Sequence, residues 1–358
     1  MRLADLGWDD LYAEQFAPWT AKAHVQPGRD AIEFNHNYRL YVDDGEIEAV
    51  AAGRLKHRAE SRSELPAVGD WVAVRTRPEE DRGSIQGLLP RRSRFSRKVA
   101  GHVTDEQVVA ANVDVAFLVM ALDHDFNVRR LERYVLVAHE SGASPVILLT
   151  KPDMTADLPA RVREVEAMAG DLPVHVLSPK RNEGLEPLRE YLAAGRTGAL
   201  LGSSGVGKST IINRLVGENV QKTREVRESD SRGRHTTTHR ELVPVPGGGL
   251  IIDTPGMREI QLWDVGEAVK ETFEEIEALA SECHFTDCRH RDEPRCAVKA
   301  AVADGGIPAA RLESYLKLQG ELAHLATQLD ERARIEDKRQ AKVMGKALRA
   351  RLKEKGRK

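Results

Sequence analysis

The chain has 358 residues, enough for two or three domains. Its 54 Lys and Arg against 56 Asp and Glu leave a net charge of −2, so no global field draws it to nucleic acid and any such affinity must come from local patches. No apolar run reaches membrane-spanning length, residues 1–27 lack the basic start and apolar core of a signal peptide, and three cysteines suit a metal site in the cytoplasm better than a disulfide scaffold.

In chain order, the first predicted elements are short strands at Tyr38–Val42, Glu46–Ala52 and Asp70–Val74, alternating in polarity with turn residues between them. They predict a small β-barrel. Arg91-Arg92-Ser93-Arg94-Phe95-Ser96-Arg97-Lys98 then packs five basic residues and one aromatic into eight positions. Arg91, Arg92, Arg94, Arg97 and Lys98 suit phosphates and Phe95 suits a base, so the run is a candidate RNA contact. A solvated interdomain linker fits the same residues.

Pro145–Leu149 reads as a strand, and Thr150-Lys151-Pro152-Asp153 follows it. T-K-x-D is the element with which GTPases read guanine. Asp153 can accept from guanine N1–H and the exocyclic amine, whereas adenine would leave that carboxylate unpaired. Lys151 would lay its aliphatic stem along the base. A surface turn carrying Lys and Asp is the plainer alternative. At Val174–Lys180, Ser178-Pro179-Lys180 resembles the S-A-K loop that closes over the base, but Pro179 has no N–H to offer the guanine oxygen.

Ala199–Leu201 reads as the end of another strand, and Gly202-Ser203-Ser204-Gly205-Val206-Gly207-Lys208-Ser209 follows, with a helix opening at Thr210. Strand, G-x-x-x-x-G-K-S and helix form a phosphate-binding loop in its proper setting. Residues 202–210 are expected to wrap the phosphates, with Lys208 on the β- and γ-phosphates and the Ser209 hydroxyl on Mg²⁺. In an ordinary GTPase this loop precedes the T-K-x-D element. Here it follows by about fifty residues, so the two halves of the site stand in permuted order.

Next comes a polar threonine run, Arg232–His239, in which Thr236 or Thr237 is the candidate Mg²⁺ ligand. The strand Leu250–Ile252 ends in Asp253-Thr254-Pro255-Gly256. Asp253 would hold Mg²⁺ through water and the Gly256 N–H would meet the γ-phosphate. Many GTPases place a water-orienting glutamine directly after this glycine, but Met257 occupies the position. Intrinsic hydrolysis should then be slow. His235, beside the threonines, is the catalytic candidate, with His239 or a group donated by a partner as alternatives.

All three cysteines lie between Cys283 and Cys296. Cys283, Cys288, His290 and Cys296 read C-x4-C-x-H-x5-C, a set suited to one closed, tetrahedral, structural Zn²⁺. His284 competes as the fourth ligand, and three free thiols are the bland reading. From Glu331 to Lys358, twelve Lys and Arg stand against four acids, a formal +8 that could grip RNA or simply stay solvated.

The order T-K-x-D, S-x-K, G-x-x-x-x-G-K-S, threonine run, D-T-P-G resembles the circularly permuted GTPases. With the cysteine cluster it resembles the ribosome small-subunit-dependent GTPase (RsgA) family, over roughly residues 35 to 320. The resemblance implies a multidomain α/β protein. Its parts would be an N-terminal region 1–100 with an OB-fold β-barrel at about 35–98, a circularly permuted P-loop GTPase domain 101–262, a helical zinc-binding domain 263–330 and a basic tail 331–358. It further implies GTP and GDP as substrate and product, Mg²⁺, one Zn²⁺, and the small ribosomal subunit with its rRNA as partner in late maturation, in a cytoplasmic protein that is a monomer when free. A GTP-dependent switch on another RNA or protein, or a P-loop ATPase or kinase, remains the alternative on the residues alone.

Overall fold

The computed structural model describes residues 1–34, 37–43, 45–59, 61–76, 82–98, 106–217, 240–253, 272–309, 311–317 and 319–320. The chain divides into two compact units, Met1–Ala268 and Val269–Lys358.

The first unit opens with a 3-10 turn at Leu3–Leu6 and helix α1 (Asp10–Thr20). The Asp9 side chain caps α1 by accepting from the Tyr12 N–H at 3.1 Å. Strands β1 (Val25–Phe34), β2 (Asn37–Val42), β3 (Gly45–Ala51), β4 (Trp71–Arg75) and β5 (Arg82–Leu88) follow, with helix α2 (Gly53–Arg58) between β3 and β4. They pair in the ring β1-β2-β3-β5-β4, and β4 closes back on β1 from Val25↔Arg75 to Arg29↔Trp71. This closed five-stranded ring is the expected OB-fold barrel. Strand alternation turns Tyr38, Leu40 and Val42 of β2, Val72 and Val74 of β4 and Ile85 of β5 into its core.

The first barrel strand starts at Val25, ahead of the expected start near residue 35. Arg29 and Asp30, which precede the expected start, are both buried on β1. The β1–β2 register shifts between Asp30 and Ile32, a bulge that lets consecutive residues face inward. The basic run also differs from expectation. β6 (Arg94–Lys98) leaves the barrel and pairs with β7 (Glu106–Ala111) in a separate antiparallel ribbon.

Among the described residues, strand and helix then alternate through β8 (Val115–Ala121), α3 (Val128–Ser141), β9 (Ser144–Thr150), α4 (Leu158–Ala169), β10 (Val174–Leu177), α5 (Glu186–Tyr191), β11 (Thr197–Leu201) and α6 (Lys208–Val216), with β12 (Glu241–Pro244) and β13 (Leu250–Asp253) further on. The sheet order is β10-β9-β8-β11-β13-β12, parallel except for β12. Every residue of β8 and β11 is buried, as in a parallel sheet covered on both faces. Helix α3 is held at both ends, by Asn127 accepting from the Arg130 N–H and by Gly142 at φ 85°.

Barrel and sheet are continuous. β1 bridges β12 at Ile32↔Glu241, and the Tyr41 hydroxyl donates to the Leu242 carbonyl at 3.2 Å. Beneath this seam lies Arg29, only 2 % exposed. It donates to the Leu6 carbonyl, to the Gly69 carbonyl at 3.3 Å, to the Asn112 carbonyl at 3.1 Å and to the Thr197 hydroxyl at 2.7 Å. Burial lowers its pKa to about 10, which leaves it charged at neutral pH.

In the second unit, α7 (Glu274–Ala280), α8 (Ala297–Ala303) and the helical residues 311–317 surround Phe273, Ile276, Val298, Ile307 and Tyr315. Phe273 meets Tyr315 edge-on at 5.5 Å and carries the Arg311 guanidinium at 4.3 Å from its ring centre.

Beside Arg29, Asp30 is fully buried, and its carboxyl oxygens lack a well-formed hydrogen bond among the described residues. Burial, with Asp70 and Glu33 nearby, pushes its pKa well above the ordinary carboxylate range. The folded state therefore holds a proton that the unfolded chain releases. Its stabilising contribution is complete below the unfolded carboxylate pKa and is lost as pH rises toward the folded value. Asp30→Asn removes that linkage. Its melting temperature relative to the parent should climb between pH 5 and pH 8, by roughly 2–4 °C for each kcal/mol relieved, as checked by thermal scans across that range.

Candidate nucleotide site and metal centre

Register places the motif loops side by side. Ala121 of β8 pairs with Thr150 of β9, Leu177 of β10 pairs with Thr150, and Leu201 of β11 pairs with Leu118 of β8. The carboxyl ends of β8, β9, β10, β11 and β13 therefore lie on the same edge of the sheet. β9 and β10 lie on one side of the β8–β11 pair, β13 and β12 on the other. A reversal of winding of this kind opens the crevice in which α/β sheets bind ligands.

At the end of β11 the chain turns through Gly202, where a Cβ would lie 2.4 Å from the Val119 carbonyl oxygen, so only glycine fits. Gly207, at φ 104°, turns the loop into α6. Ser203, Ser204 and Gly205 form the loop's outer arc, and Ser209 and Thr210 are exposed on the first turn of the helix. Lys208 Nζ donates to the Gly202 and Ser203 carbonyls at 2.7 Å each, drawn across the loop in which a phosphate would take its charge. Val206, 2 % exposed, anchors the loop in the core.

The guanine-reading loop is tied to this phosphate loop. The Thr150 hydroxyl, fully buried, donates to the Val206 carbonyl at 2.6 Å. Lys151 takes a left-handed φ of 56° and Nζ meets Asp123 Oδ2 at 2.7 Å. Burial alone would raise the Asp123 pKa, but the Lys151 ammonium and the Asp125 N–H outweigh it and bring it below the ordinary value. Asp153 is exposed on the following 3-10 turn, with no competing bond among the described residues. In the third loop, Ser178 exchanges backbone bonds with Glu183 at 2.9 and 3.1 Å. Arg214, on the outer side of α6, donates to the Pro179 carbonyl at 3.0 Å and the Lys180 carbonyl at 3.4 Å. The loop that lacks an N–H at Pro179 is thus held through its carbonyls from the phosphate-binding helix.

Asp253 ends β13, opposite Glu241. His235, Thr236, Thr237 and Gly256 lie outside the described residues, as do His239 and Met257. Asp123 and Arg214 belong to no motif. The pairing of β8 with β9 could have placed Asp123 beside Lys151, but nothing local marks Arg214.

The basic run is split between two duties. Arg91 forms a bidentate pair with Asp70 (2.8 and 2.7 Å) and also donates to the Ser63 and Leu65 carbonyls, and Phe95 is 1 % exposed, so both serve the fold in this conformation rather than offering a free cation and an open ring. Arg92 pairs with Asp9 at 2.5 Å and lies over the Tyr12 ring at 4.1 Å. Arg94 is more open, 3.7 Å from Glu106. Arg97 and Lys98 continue β6.

In the second unit, Cys283, Cys288, His290 and Cys296 bring one donor atom each to within 4.8 Å of one another. The measured edges are 3.8 Å for Cys283 Sγ to Cys296 Sγ, 3.6 Å for Cys283 Sγ to His290 Nδ1 and 3.3 Å for His290 Nδ1 to Cys296 Sγ. A tetrahedral ion with Zn–S of about 2.3 Å and Zn–N of about 2.0 Å requires edges of about 3.8 and 3.5 Å, so the donor set fits zinc. A left-handed φ of 58° at His290 turns its ring inward. The Lys299 N–H points at Cys296 Sγ at 3.4 Å, a contact that stabilises thiolate charge. His284, the competing ligand, instead packs edge-on against Phe285 at 4.8 Å.

A doubly wound sheet carrying a G-x-x-x-x-G-K-S loop and, upstream of it, a T-K-x-D loop on the same edge defines a circularly permuted GTPase. Residues 88–263 match the family described as RsgA GTPase. A protein of Opitutus terrae named small ribosomal subunit biogenesis GTPase RsgA is 50% identical over 339 residues, covering 92% of this chain and 92% of its own. The crystal structure of YjeQ from Thermotoga maritima is similar at a TM-score of 0.64 and 27% identity, covering 84% of this chain and 99% of its own. YloQ, a circularly permuted GTPase, shares the fold at a TM-score of 0.61. The chain belongs to the RsgA GTPase family.

The Arg214 clamp has a measurable weight. Arg214→Ala should release GDP roughly threefold to tenfold faster, the loss of one modest charge-assisted contact, as read by stopped-flow displacement of a fluorescent GDP analogue.

Proposed function

We propose that this chain hydrolyses GTP while bound to the small ribosomal subunit and so assists or checks its late maturation. The observation that carries the reading is the convergence of the phosphate loop and the guanine-reading loop on one sheet edge, in permuted order. The names of the relatives support the ribosomal partner. The sequence divides in this reading into an N-terminal region 1–100, a GTPase domain 101–262, a zinc-binding domain 263–330 and a basic tail 331–358.

The roles are assigned from the motifs, with the described loops in support. Asp153 reads the guanine edge and Lys151 covers its face, with Ser178 in the closing loop. The N–H groups of residues 202–210 and the Lys208 ammonium hold the phosphates, after Lys208 exchanges the Gly202 and Ser203 carbonyls for anionic oxygens. Mg²⁺, when bound, would neutralise the negative charge that develops on the phosphates. Ser209, Asp253 and Thr236 or Thr237 are assigned to hold it, with the Gly256 N–H on the γ-phosphate. His235 is assigned to orient the attacking water in place of the usual glutamine. Cys283, Cys288, His290 and Cys296 hold one structural Zn²⁺. The rRNA contacts are assigned to Arg92, Arg94, Arg97, Lys98 and the tail, with the protein cytoplasmic and monomeric when free.

Phosphate release from GTP, with ATP as control, tests the central claim. Turnover should be slow alone and rise strongly with purified small subunits, and His235→Ala should lower it without weakening GTP binding. Equal use of ATP would favour a P-loop ATPase or kinase. Preferred but unstimulated GTP turnover would retain the GTPase and remove the ribosome as its activator.

Metal analysis should find one zinc per chain. Chelation, or Cys288→Ser, should melt the packing around α7 and α8 while nucleotide binding persists. The readouts are the helical circular-dichroism signal and GDP affinity measured in parallel.

A further inference from the structure

We infer that Asp123 is a positioning residue for guanine selectivity, acting as the counter-ion that keeps the Lys151 ammonium away from Asp153. The inference rests on the reading of Asp153 as the guanine receptor. Asp123 follows β8 at the carboxyl edge of the sheet, and both of its oxygens are engaged. Oδ1 accepts from the Asp125 N–H at 2.9 Å and Oδ2 meets Lys151 Nζ at 2.7 Å. Its side chain is 6% exposed, against 37% for Lys151. The carboxylate is therefore fixed by its own turn and by burial, and the long, mobile lysine comes to it.

That arrangement answers a problem built into T-K-x-D. The motif places a cation two residues from the carboxylate that must accept from guanine N1–H and the exocyclic amine. A lysine left unpaired on the same tight turn would bond Asp153 and compete with the base. Asp123 removes that competitor. With its ammonium anchored at the end of β8 and its backbone at φ 56°, Lys151 has both ends of its four-carbon stem fixed, which leaves the methylenes as a platform for the base. The partner lies 28 residues upstream in sequence, so the device is invisible to the motif itself.

The test is the affinity of the full-length protein for GDP, IDP and ADP, each with Mg²⁺, by calorimetry. IDP lacks the exocyclic amine, so the GDP-to-IDP ratio reports whether Asp153 is free to use both its bonds. Asp123→Asn should weaken GDP by roughly tenfold and compress the GDP-to-IDP ratio, because Lys151 now occupies Asp153. Asp123→Glu, which keeps the charge, should restore much of the ratio. An Asn variant that binds all three nucleotides more weakly by one common factor would show a merely structural role and overturn the inference. An unchanged ratio with unchanged affinity would overturn it equally. Parent protein that fails to prefer GDP over ADP would instead sink the assignment of Asp153, a separate outcome read from the same titrations.

Discussion

A guanidinium buried where the N-terminal turn, the barrel and the nucleotide-binding sheet meet sets the terms for the first unit. Burying Arg29 is tolerable only if its donors are matched, because an unpaired buried charge costs several kcal/mol. Its partners come from four separate stretches of chain, at Leu6, Gly69, Asn112 and Thr197. Each must be in place for the others to be. Thr197 is also the first residue of β11, and its N–H is held by Asp114 at 2.7 Å. The strand that delivers the phosphate loop is therefore fixed at its far end by the barrel and its approach segment.

The same logic runs through the site. The phosphate loop, the guanine-reading loop and the closing loop come from separate parts of the sequence, and local conformation cannot align them. Cross-ties do so: Thr150 to Val206, Lys151 to Asp123, Arg214 to Pro179 and Lys180. Such ties limit the reorganisation left for the nucleotide to drive, which is how preorganisation favours affinity. They also explain how the permuted order is harmless. The site depends on which strands are neighbours, and the order β10-β9-β8-β11-β13-β12 brings the loops together whichever strand the chain visits first.

What could be read in the residues and what could not divide along this line. The phosphate loop, T-K-x-D and the cysteine set were legible because their chemistry demands fixed residue types at short spacing. The barrel was legible at β2, β3 and β4, where short strand-forming runs stand between turn residues, and illegible at β1, where groups distant in sequence make the burial of Arg29 possible. Arg91 shows the converse. Within its run it reads as a phosphate-gripping cation, but Asp70, 21 residues away, claims it. Asp123 and Arg214 escaped notice because their partners lie 28 and 35 residues off. Burial and long-range pairing decide these cases, and neither is a property of a short window.

The bridge between β1 and β12 bears on modularity. An OB-fold is usually treated as a detachable module that can be trimmed or exchanged. Here β1 belongs to two structures at once, closing the barrel through β4 and extending the nucleotide-binding sheet through β12. Excising the barrel would remove the bridge between Ile32 and Glu241 at the start of β12. It would also strip Thr197 of its cation. Barrel and nucleotide-binding sheet are thus coupled through one strand and one guanidinium, and a cut between them disturbs both partners of each contact.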